Sequence, residues 1–320
     1  MIPQGWFHEF EKGINAIEVY KRALRLSQKA EDLGFDCIWL VDHFYPLYLS
    51  KERLKKPVLE CLTLLTSLAT TTSKIRIGSM VLCNNYRNPA LLAKMASTLD
   101  LISNGRLDFG IGAGCYKEEY VAYGYKFHKY KVRVEMLDEA IHVIKLLWTK
   151  DKASFQGKYY QIKNAYCYPK PVQKPHPPIL IGGGGERYLL KLVAKHADKW
   201  NVGISRGIDK AREKLRILRN YFEEVGRNYD SLQKTCRFNV ILSDSYEKAR
   251  RKMKNLEKVL RGDWFSRAFD GGGFVGTPEG CVERMKKIVK LGFEEFVVLC
   301  FNDEESYELL ANEVKPKLSR

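Results

Sequence analysis

The sequence predicts an α/β fold, a (β/α)8 TIM barrel that forms a single domain over residues 1–320. Short, wholly apolar segments that suit buried parallel strands alternate with segments whose apolar residues recur at helical spacing. The alternation runs through the whole length without a linker, and 45% of the residues are hydrophobic, which is enough for one large core. An open, doubly wound sheet is the structural alternative.

The elements follow one another in regular order. Only MIPQGW represents the first strand, so we expect the natural start to lie a few residues upstream. Apolar runs predict the other seven strands over residues 37–41, 75–82, 107–111, 179–181, 200–204, 237–242 and 295–300. Helical spacing predicts helices over residues 16–33, 58–70, 89–105, 134–148, 189–197, 209–225, 246–260, 280–291 and 306–314.

Two segments interrupt the alternation. Residues 150–177 contain two strand-like halves around Gly157 and then several prolines, which predicts a hairpin and an extended arm inserted after the fourth helix. Residues 262–277 form a glycine-containing loop that we regard as a candidate lid.

Composition excludes several classes of protein. No stretch approaches the roughly 20 apolar residues of a membrane span, and no signal peptide precedes the first helix. The eight cysteines are scattered without a C-x-x-C pair, which indicates reduced thiols in a cytoplasmic protein and no zinc site. The six histidines show no metal-ligand spacing either, so we predict no metal.

Charge leaves three interpretations open. Lys and Arg exceed Asp and Glu by 16, which fits a nucleic-acid partner, a basic groove for an anionic small molecule, or an ordinary solvated surface. The basic residues are spread along helical faces and form no arm or tail, which favours the solvated surface.

A glycine-rich segment follows the most apolar strand. Ile179, Leu180 and Ile181 are followed by Gly182, Gly183, Gly184 and Gly185, and a helix begins just beyond them. Glycine lets a ligand approach the backbone, and the first turn of a helix offers unpaired N–H groups. The segment therefore predicts a phosphate cradle. A turn that only reverses the chain is the alternative, although one or two glycines suffice for that.

Other candidate residues lie where barrel strands end, which is where barrel active sites form. Asp42 and His43 follow the second strand, and the imidazole can give or take a proton near neutral pH. Asp42 is expected to orient His43 or to take part directly. After the fourth strand, Gly112, Ala113 and Gly114 would let a flat ligand lie against the backbone. A turn-capping Asp, a packing His and a tight barrel turn are the structural alternatives.

Several long segments together resemble the bacterial-luciferase-like superfamily. They are GFDCIWLVDHF, KIRIGSMVLCNNYRNPALLAKMASTLDLISNGRLDFGIGAGCYKEEYVAYG, YYQIKNAYCYPKPVQKPHPPILIGGGGERYLLKLVAKHADKWN and VGTPEGCVERMKKIVKLGFEEFVVL. They cover nearly the whole chain in the family's order. The similarity is strongest to the branch that uses the deazaflavin coenzyme F-420 (F420).

The resemblance implies a flavin or deazaflavin in the barrel mouth, with its phosphate on the glycine cradle and Asp42 and His43 beside the reactive edge of the ring. It implies a non-proline cis peptide at Met80–Val81 and assigns Met80, Val81, Cys83 and residues 112–114 to the cofactor. It also implies a homodimer.

One position departs from the family. Members that oxidise glucose 6-phosphate have a carboxylate about where this chain has Cys115, so we do not predict sugar phosphate oxidation.

The leading hypothesis is hydride transfer between F420 and a small organic substrate, with His43 handling the proton. The basic excess would suit the acidic tail of that coenzyme. The competitors are an FMN-dependent monooxygenase that uses molecular oxygen, a basic barrel that binds nucleic acid, and a metal-dependent hydrolase. We expect no nucleic-acid or membrane partner.

Overall fold

A parallel sheet surrounded by helices forms the centre of the molecule. The structure, a computed structural model, describes residues 1–7, 9–10, 13–46, 55–204, 207–260, 269 and 273–318. Its strands are β1 (Cys37–Leu40), β2 (Arg76–Ser79), β3 (Leu82–Cys83), β4 (Leu107–Gly112), β5 (Lys152–Gln156), β6 (Gln161–Tyr166), β7 (Ile179–Gly182), β8 (Lys199–Gly203), β9 (Gln233–Leu242), β10 (Gly273–Gly276) and β11 (Glu295–Leu299).

Helices follow the strands along the chain. They are α1 (Ala16–Asp32), α2 (Cys61–Thr71), α3 (Pro89–Ile102), α4 (Lys117–Ala122), α5 (Tyr130–Thr149), α6 (Leu189–His196), α7 (Ile208–Glu224), α8 (Tyr246–Leu260), α9 (Pro278–Val289) and α10 (Glu304–Leu309). Side-chain caps explain several starts: Asn15 accepts from the N–H of Glu18, and Asn88 caps α3 just before Pro89.

Nine strands form one parallel sheet in the order β1-β2-β4-β7-β8-β9-β10. The short β3 also pairs with β4, and β11 pairs with residues 235–239 of β9, whereas β10 pairs with residues 239–242. Strand β9 is long enough, at 10 residues, to take both partners one after the other.

The sheet curls so that its two ends approach the start of the chain. The N–H of Ile2 donates to the carbonyl of Trp39 in β1 at 3.2 Å. The amino group of Met1 donates to the carbonyl of Val298 in β11 at 2.5 Å. The first residues therefore lie between β1 and β11.

Alternate residues of the strands serve two apolar clusters. Ile179 and Ile181 lie in the large cluster under the helices, and Leu180 lies in a smaller cluster on the other face of the sheet, with Trp6 and Phe7. All three strand residues are fully buried, as predicted for this strand. The smaller cluster packs inside the curl and supports the floor of the cavity described below.

The structure differs from the predicted elements in four places. Residues 1–6, predicted to represent the first strand, form no strand. The predicted third strand is divided into β2 and β3 by a cis peptide bond between Met80 and Val81, which the family resemblance implied. Helix α4, only six residues long, was not predicted. Most of the candidate lid lies outside the described residues, and its described end forms β10, a strand paired with β9 instead of a loop.

The predicted hairpin is present as an antiparallel pair of β5 and β6. All eight cysteines are described and free. Within the described ranges, no helix combines the length and the apolar character that a bilayer span needs.

Candidate active site

A cavity of about 300 Å³ opens at the carboxyl ends of the parallel strands. Eleven of the twelve predicted site residues line it, and Gly185 does not; the lining members are Asp42, His43, Met80, Val81, Cys83, Gly112, Ala113, Gly114, Gly182, Gly183 and Gly184. The volume is at the lower end of the roughly 300–1,000 Å³ that small-molecule sites occupy.

His43 lies in the wall of this cavity between a carboxylate and an aromatic ring. Its Nδ1 is 2.8 Å from Oε2 of Glu119. Its ring is stacked on Trp6, with centroids 3.9 Å apart and an interplanar angle of 2°. These two contacts fix both the plane and the rotation of the imidazole, and they leave Nε2 without a partner among the described residues.

Glu119 is the anchor of this wall and was not predicted. Its side chain is fully buried. Besides His43, it accepts hydrogen bonds from the hydroxyl of Tyr86 at 2.7 Å and from the backbone N–H groups of Phe44 and Tyr45 at 2.7 and 3.4 Å. Because this carboxylate accepts from every neighbour, Nδ1 of His43 is the donor in their hydrogen bond, and Nε2 is the ring nitrogen left to act as an acceptor.

Asp42 does not orient His43, contrary to the sequence-based expectation. Both oxygens of its buried carboxylate accept from the guanidinium of Arg87, at 2.7 and 2.8 Å. One oxygen also accepts from the N–H of Cys83 at 2.8 Å. Burial opposes the charge of Arg87, but hydrogen bonds from its guanidinium to Asp42 and the nearby Glu60 raise its pKa above the ordinary value. Asp42 thus ties the ends of β1 and β3 together.

The glycines of the cavity wall make room for protein side chains. A Cβ on Gly112 or Gly182 would lie 2.7 or 2.8 Å from a methyl group of Val81. Gly114 has φ of +71°, and a Cβ there would lie 2.0 Å from the hydroxyl of Tyr120. The glycines at 112 and 114 predict space for a flat ligand. The structure fills it with Val81 and Tyr120, so these glycines shape the wall.

Hydrogen bonds to neighbouring residues fix the backbone of the glycine cradle. Gly183 donates its N–H to the carbonyl of Asn201 at 2.9 Å and accepts from the indole of Trp200 at 2.8 Å. The carbonyl of Gly184 accepts from Nζ of Lys214 at 2.7 Å. These contacts fix the carbonyl groups and leave the N–H groups further along the cradle available.

Two backbone donors of the cradle have no acceptor. Neither the N–H of Gly184 nor that of Gly185 meets one among the described residues. A Cβ on Gly185 would lie 2.1 Å from the hydroxyl of Tyr130, which excludes larger residues there. Successive free N–H groups just before helix α6 fit a phosphate group.

The cavity also contains a cation and two thiols. Arg237 lines it, and burial lowers the pKa of its guanidinium. Burial raises the pKa of Cys83 to about 12 and also raises that of Cys115. The thiols are therefore protonated at neutral pH, which makes them poor nucleophiles.

Away from the cavity, the described residues include one group of potential metal ligands, although the sequence spacing had indicated none. Asp138, His142 and His196 bring ligand atoms within 4.8 Å of one another. However, Asp138 already accepts from His196 at 2.6 Å and from Lys195 at 2.8 Å. Burial opposes its ionisation, but these two hydrogen bonds lower the pKa of Asp138 to about 2. The group joins α5 to α6, and we assign it no metal.

Comparison with known proteins identifies the class. The family model described as luciferase-like monooxygenase matches residues 3–295, so the chain belongs to that family.

Individual relatives agree with this assignment. The chain is 30% identical over 227 residues to the F420-dependent glucose-6-phosphate dehydrogenase of Amycolatopsis mediterranei, a match that covers 69% of this chain and 65% of that relative. The chain thus spans less than two thirds of that relative's length.

Solved structures show the same fold. An F420-dependent secondary alcohol dehydrogenase in complex with an F420-acetone adduct superposes with a TM-score of 0.80 at 19% identity, covering 94% of this chain and 96% of that chain. Monooxygenase RslO1 from Streptomyces bottropensis gives a TM-score of 0.79 at 21% identity, covering 95% of each chain. The chain is therefore a member of the luciferase-like monooxygenase family, and it shares its fold with these two solved structures.

Proposed function

We propose that the protein transfers a hydride between F420 and a small organic substrate. The observation that carries the proposal is one cavity lined both by a glycine cradle with free N–H groups and by an imidazole held by a buried carboxylate. The F420-dependent relative supports the choice of cofactor.

The residues present fit this cofactor. The N–H groups of Gly184 and Gly185 would hold its phosphate, and Met80, Val81, Cys83 and residues 112–114 would face its ring. When bound, the deazaflavin supplies a carbon that gives or accepts a hydride.

His43 would manage the accompanying proton. In the oxidative direction, Nε2 accepts the proton of a substrate hydroxyl while the neighbouring carbon–hydrogen bond breaks. Glu119 keeps Nδ1 protonated and stabilises the imidazolium that forms, as a buried carboxylate does for a catalytic histidine. Trp6 covers one face of the ring and limits the access of water. Glucose 6-phosphate is not the proposed substrate, because Cys115 stands where the resemblance places an acid.

We also propose a closed barrel, a homodimer and a cytoplasmic location for the protein. The hydrogen bonds of Ile2 and Met1 to β1 and β11 support a single domain whose sheet closes into a (β/α)8 barrel, with residues 150–177 as an insertion after the fourth helix. We further propose a homodimer in the cytoplasm without a nucleic-acid or membrane partner. Light scattering of the eluted protein tests the dimer.

A monooxygenase that uses reduced FMN and molecular oxygen is the alternative, since the same cradle suits the phosphate of FMN, and RslO1 supports only the shared fold.

Equilibrium titration distinguishes the two cofactors. The purified protein is titrated with F420, with FMN, and with each ring lacking its phosphate. We expect F420 to bind at least about tenfold more tightly than FMN, and loss of the phosphate to weaken binding at least about tenfold, or about 1.4 kcal/mol. Tight FMN binding with oxygen-dependent turnover, and no binding of F420, would refute the proposal.

A matched pair of variants locates the phosphate. Gly184→Asp places a carboxylate at the cradle and should weaken binding of F420 but not of the phosphate-free ring. Gly34→Asp makes the same change of charge beyond the end of α1, where φ is +70° and no other residue lies within 4 Å of the new Cβ. An aspartate tolerates this left-handed conformation better than most residues, so the variant should keep both affinities unchanged even if it is slightly less stable. If the two variants had the same affinity for F420, the cradle would be excluded as the phosphate site.

A further inference from the structure

We propose that the substrate carries an anionic group and that this group pairs with Arg237 on the side of the cavity that holds Trp6 and His43. The anion site stands on its own geometry, and only the reaction that follows binding rests on the proposed function.

Arg237 is a cation without a counter-ion. It extends from β9 into the cavity, and no hydrogen bond or ion pair is made to its guanidinium in the part of the chain that the structure describes. Its nearest aromatic contact is the ring of Phe7, 5.7 Å from Cζ. Arg87, at the same end of the sheet, is by contrast paired with two carboxylates. Leaving a largely buried charge unpaired costs several kcal/mol, which an anionic ligand would offset.

The position of Arg237 separates it from the cradle. Strand β9 is two strands away from β7, which carries the cradle, and adjacent strands are about 4.8 Å apart, so the backbones that carry the two sites are separated by about 10 Å across the sheet. The contact of the guanidinium with Phe7 is the reason that we assign it to the substrate and not to a phosphate on the cradle.

Three aromatic contacts connect Arg237 to His43 instead. The guanidinium lies over Phe7, Phe7 contacts Trp6 with centroids 4.3 Å apart, and Trp6 stacks on His43 at 3.9 Å. An anion held by Arg237 would thus place the rest of a small molecule beside the imidazole.

A second buried donor on this side also lacks a partner. Trp6 is 8% exposed, and its indole Nε1 has no hydrogen-bond acceptor among the described residues. A buried N–H without an acceptor is destabilising, and a ligand oxygen would supply the missing acceptor. Together, the guanidinium and the indole form a pair of donors suited to a carboxylate, sulfonate or phosphate.

Calorimetric titration of the cofactor-free protein tests the site. The probes are butyrate, its neutral counterpart butyramide, and propanesulfonate, which separates a planar from a tetrahedral anion. We expect at least one acid to bind more tightly than butyramide. Arg237→Met should lower the affinity for that acid at least about tenfold, which is the loss expected when a charged hydrogen-bonded pair is removed. Arg237→Lys should weaken it less. Arg212→Met, the same charge change on an exposed face of α7, should have no effect.

Two results would overturn the inference. One is equal binding of the acids to the wild type and Arg237→Met, including no binding to either. The other is a tenfold or greater loss of F420 affinity in Arg237→Met, which would assign the guanidinium to the cofactor. If the acids bind as expected but the wild type does not bind F420, the anion site stands and the proposed function fails.

Discussion

The described part of the chain contains two histidine–carboxylate pairs that are similar in geometry and different in surroundings. His43 lies 2.8 Å from Glu119 at the cavity, and His196 lies 2.6 Å from Asp138 between two outer helices. Both histidine side chains are mostly covered, at 15% and 8% exposure. The pairs differ in what surrounds the carboxylate: Glu119 is fully buried and accepts four hydrogen bonds, whereas Asp138 is partly exposed and shares its charge with Lys195.

This difference separates a reactive pair from a structural one. At the cavity the carboxylate fixes the imidazole, so that the remaining ring nitrogen is available where a ligand can reach it. Between α5 and α6 the same contact joins two helices. A histidine–carboxylate distance alone is therefore a weak sign of catalysis, and the adjacent cavity is the informative feature.

Replacing the two histidines should separate the pairs most clearly. His43→Gln removes the proton-handling nitrogen and should lower turnover by at least about 100-fold. His196→Gln should leave turnover unchanged. The assay follows the absorbance of F420 with a panel of short hydroxy acids, using the one that the wild type oxidises fastest. Equal turnover in His43→Gln and the wild type would remove His43 from the mechanism.

Replacing the buried carboxylate should have the next largest effect. Glu119→Gln puts an amide among four donors and should lower the free energy of unfolding by about 3 kcal/mol, as expected for a broken buried charge pair. Turnover should fall as well, because the imidazole loses its support. Denaturant unfolding and the hydroxy-acid assay measure the two effects, and Tyr86→Phe, which removes only one of the donors, should be milder in both.

Glu9 sharpens the comparison, because its buried carboxylate is paired with no histidine among the residues that the structure describes. Its Oε2 has no hydrogen-bond partner among them, and burial raises the pKa of Glu9 to about 7 from 4.5. The folded state thus holds its proton at a pH where the unfolded state has lost it. Glu9 therefore does not reduce the free energy of unfolding below pH 4.5. The free energy of unfolding declines as the pH rises from 4.5 to about 7.

The corresponding variant is Glu9→Gln, which should increase the free energy of unfolding at pH 8 by about 2–3 kcal/mol and remove this dependence. Urea unfolding at pH 5 and pH 8 measures both quantities. An unchanged pH dependence in the variant would contradict the assignment to Glu9.

The smallest effect is expected at the outer pair. The pKa of Asp138 is about 2 in the folded state against 3.8 ordinarily, so the unfolded state takes up the proton first on acidification. The stabilisation is present above pH 3.8 and lost as the pH falls towards 2. Partial exposure screens the pair, so Asp138→Asn should cost only about 1 kcal/mol at pH 6. The difference from the wild type should shrink below pH 3.8, and a constant difference would argue against ionic stabilisation.

Local sequence patterns predicted part of this site well. The buried strand before the cradle, the position of His43 after a strand, and the cis bond at Met80–Val81 all follow from neighbouring residues or from the family resemblance. The partners of these residues are distant along the chain. Glu119 lies on a six-residue helix 76 positions from His43, and no periodicity connects the two.

Arg237 escaped prediction for a different reason. Barrel site residues are expected where strands end, and the sequence predicts this strand over residues 237–242. In the structure the strand begins at Gln233, and Arg237 lies in its middle. The expectation that Asp42 orients His43 is wrong, although the two residues are adjacent in sequence, whereas its direct participation in the reaction stays a prediction. Successive residues that leave a strand point in different directions, and Arg87 offers Asp42 a stronger, bidentate partner.

A crystal structure of the protein with F420 tests the central claim most directly. The account predicts the phosphate within hydrogen-bonding distance of the N–H groups of Gly184 and Gly185, and the reacting edge of the ring next to Nε2 of His43. A ring bound outside the cavity, or a phosphate held elsewhere with His43 out of reach of the ring, would contradict it.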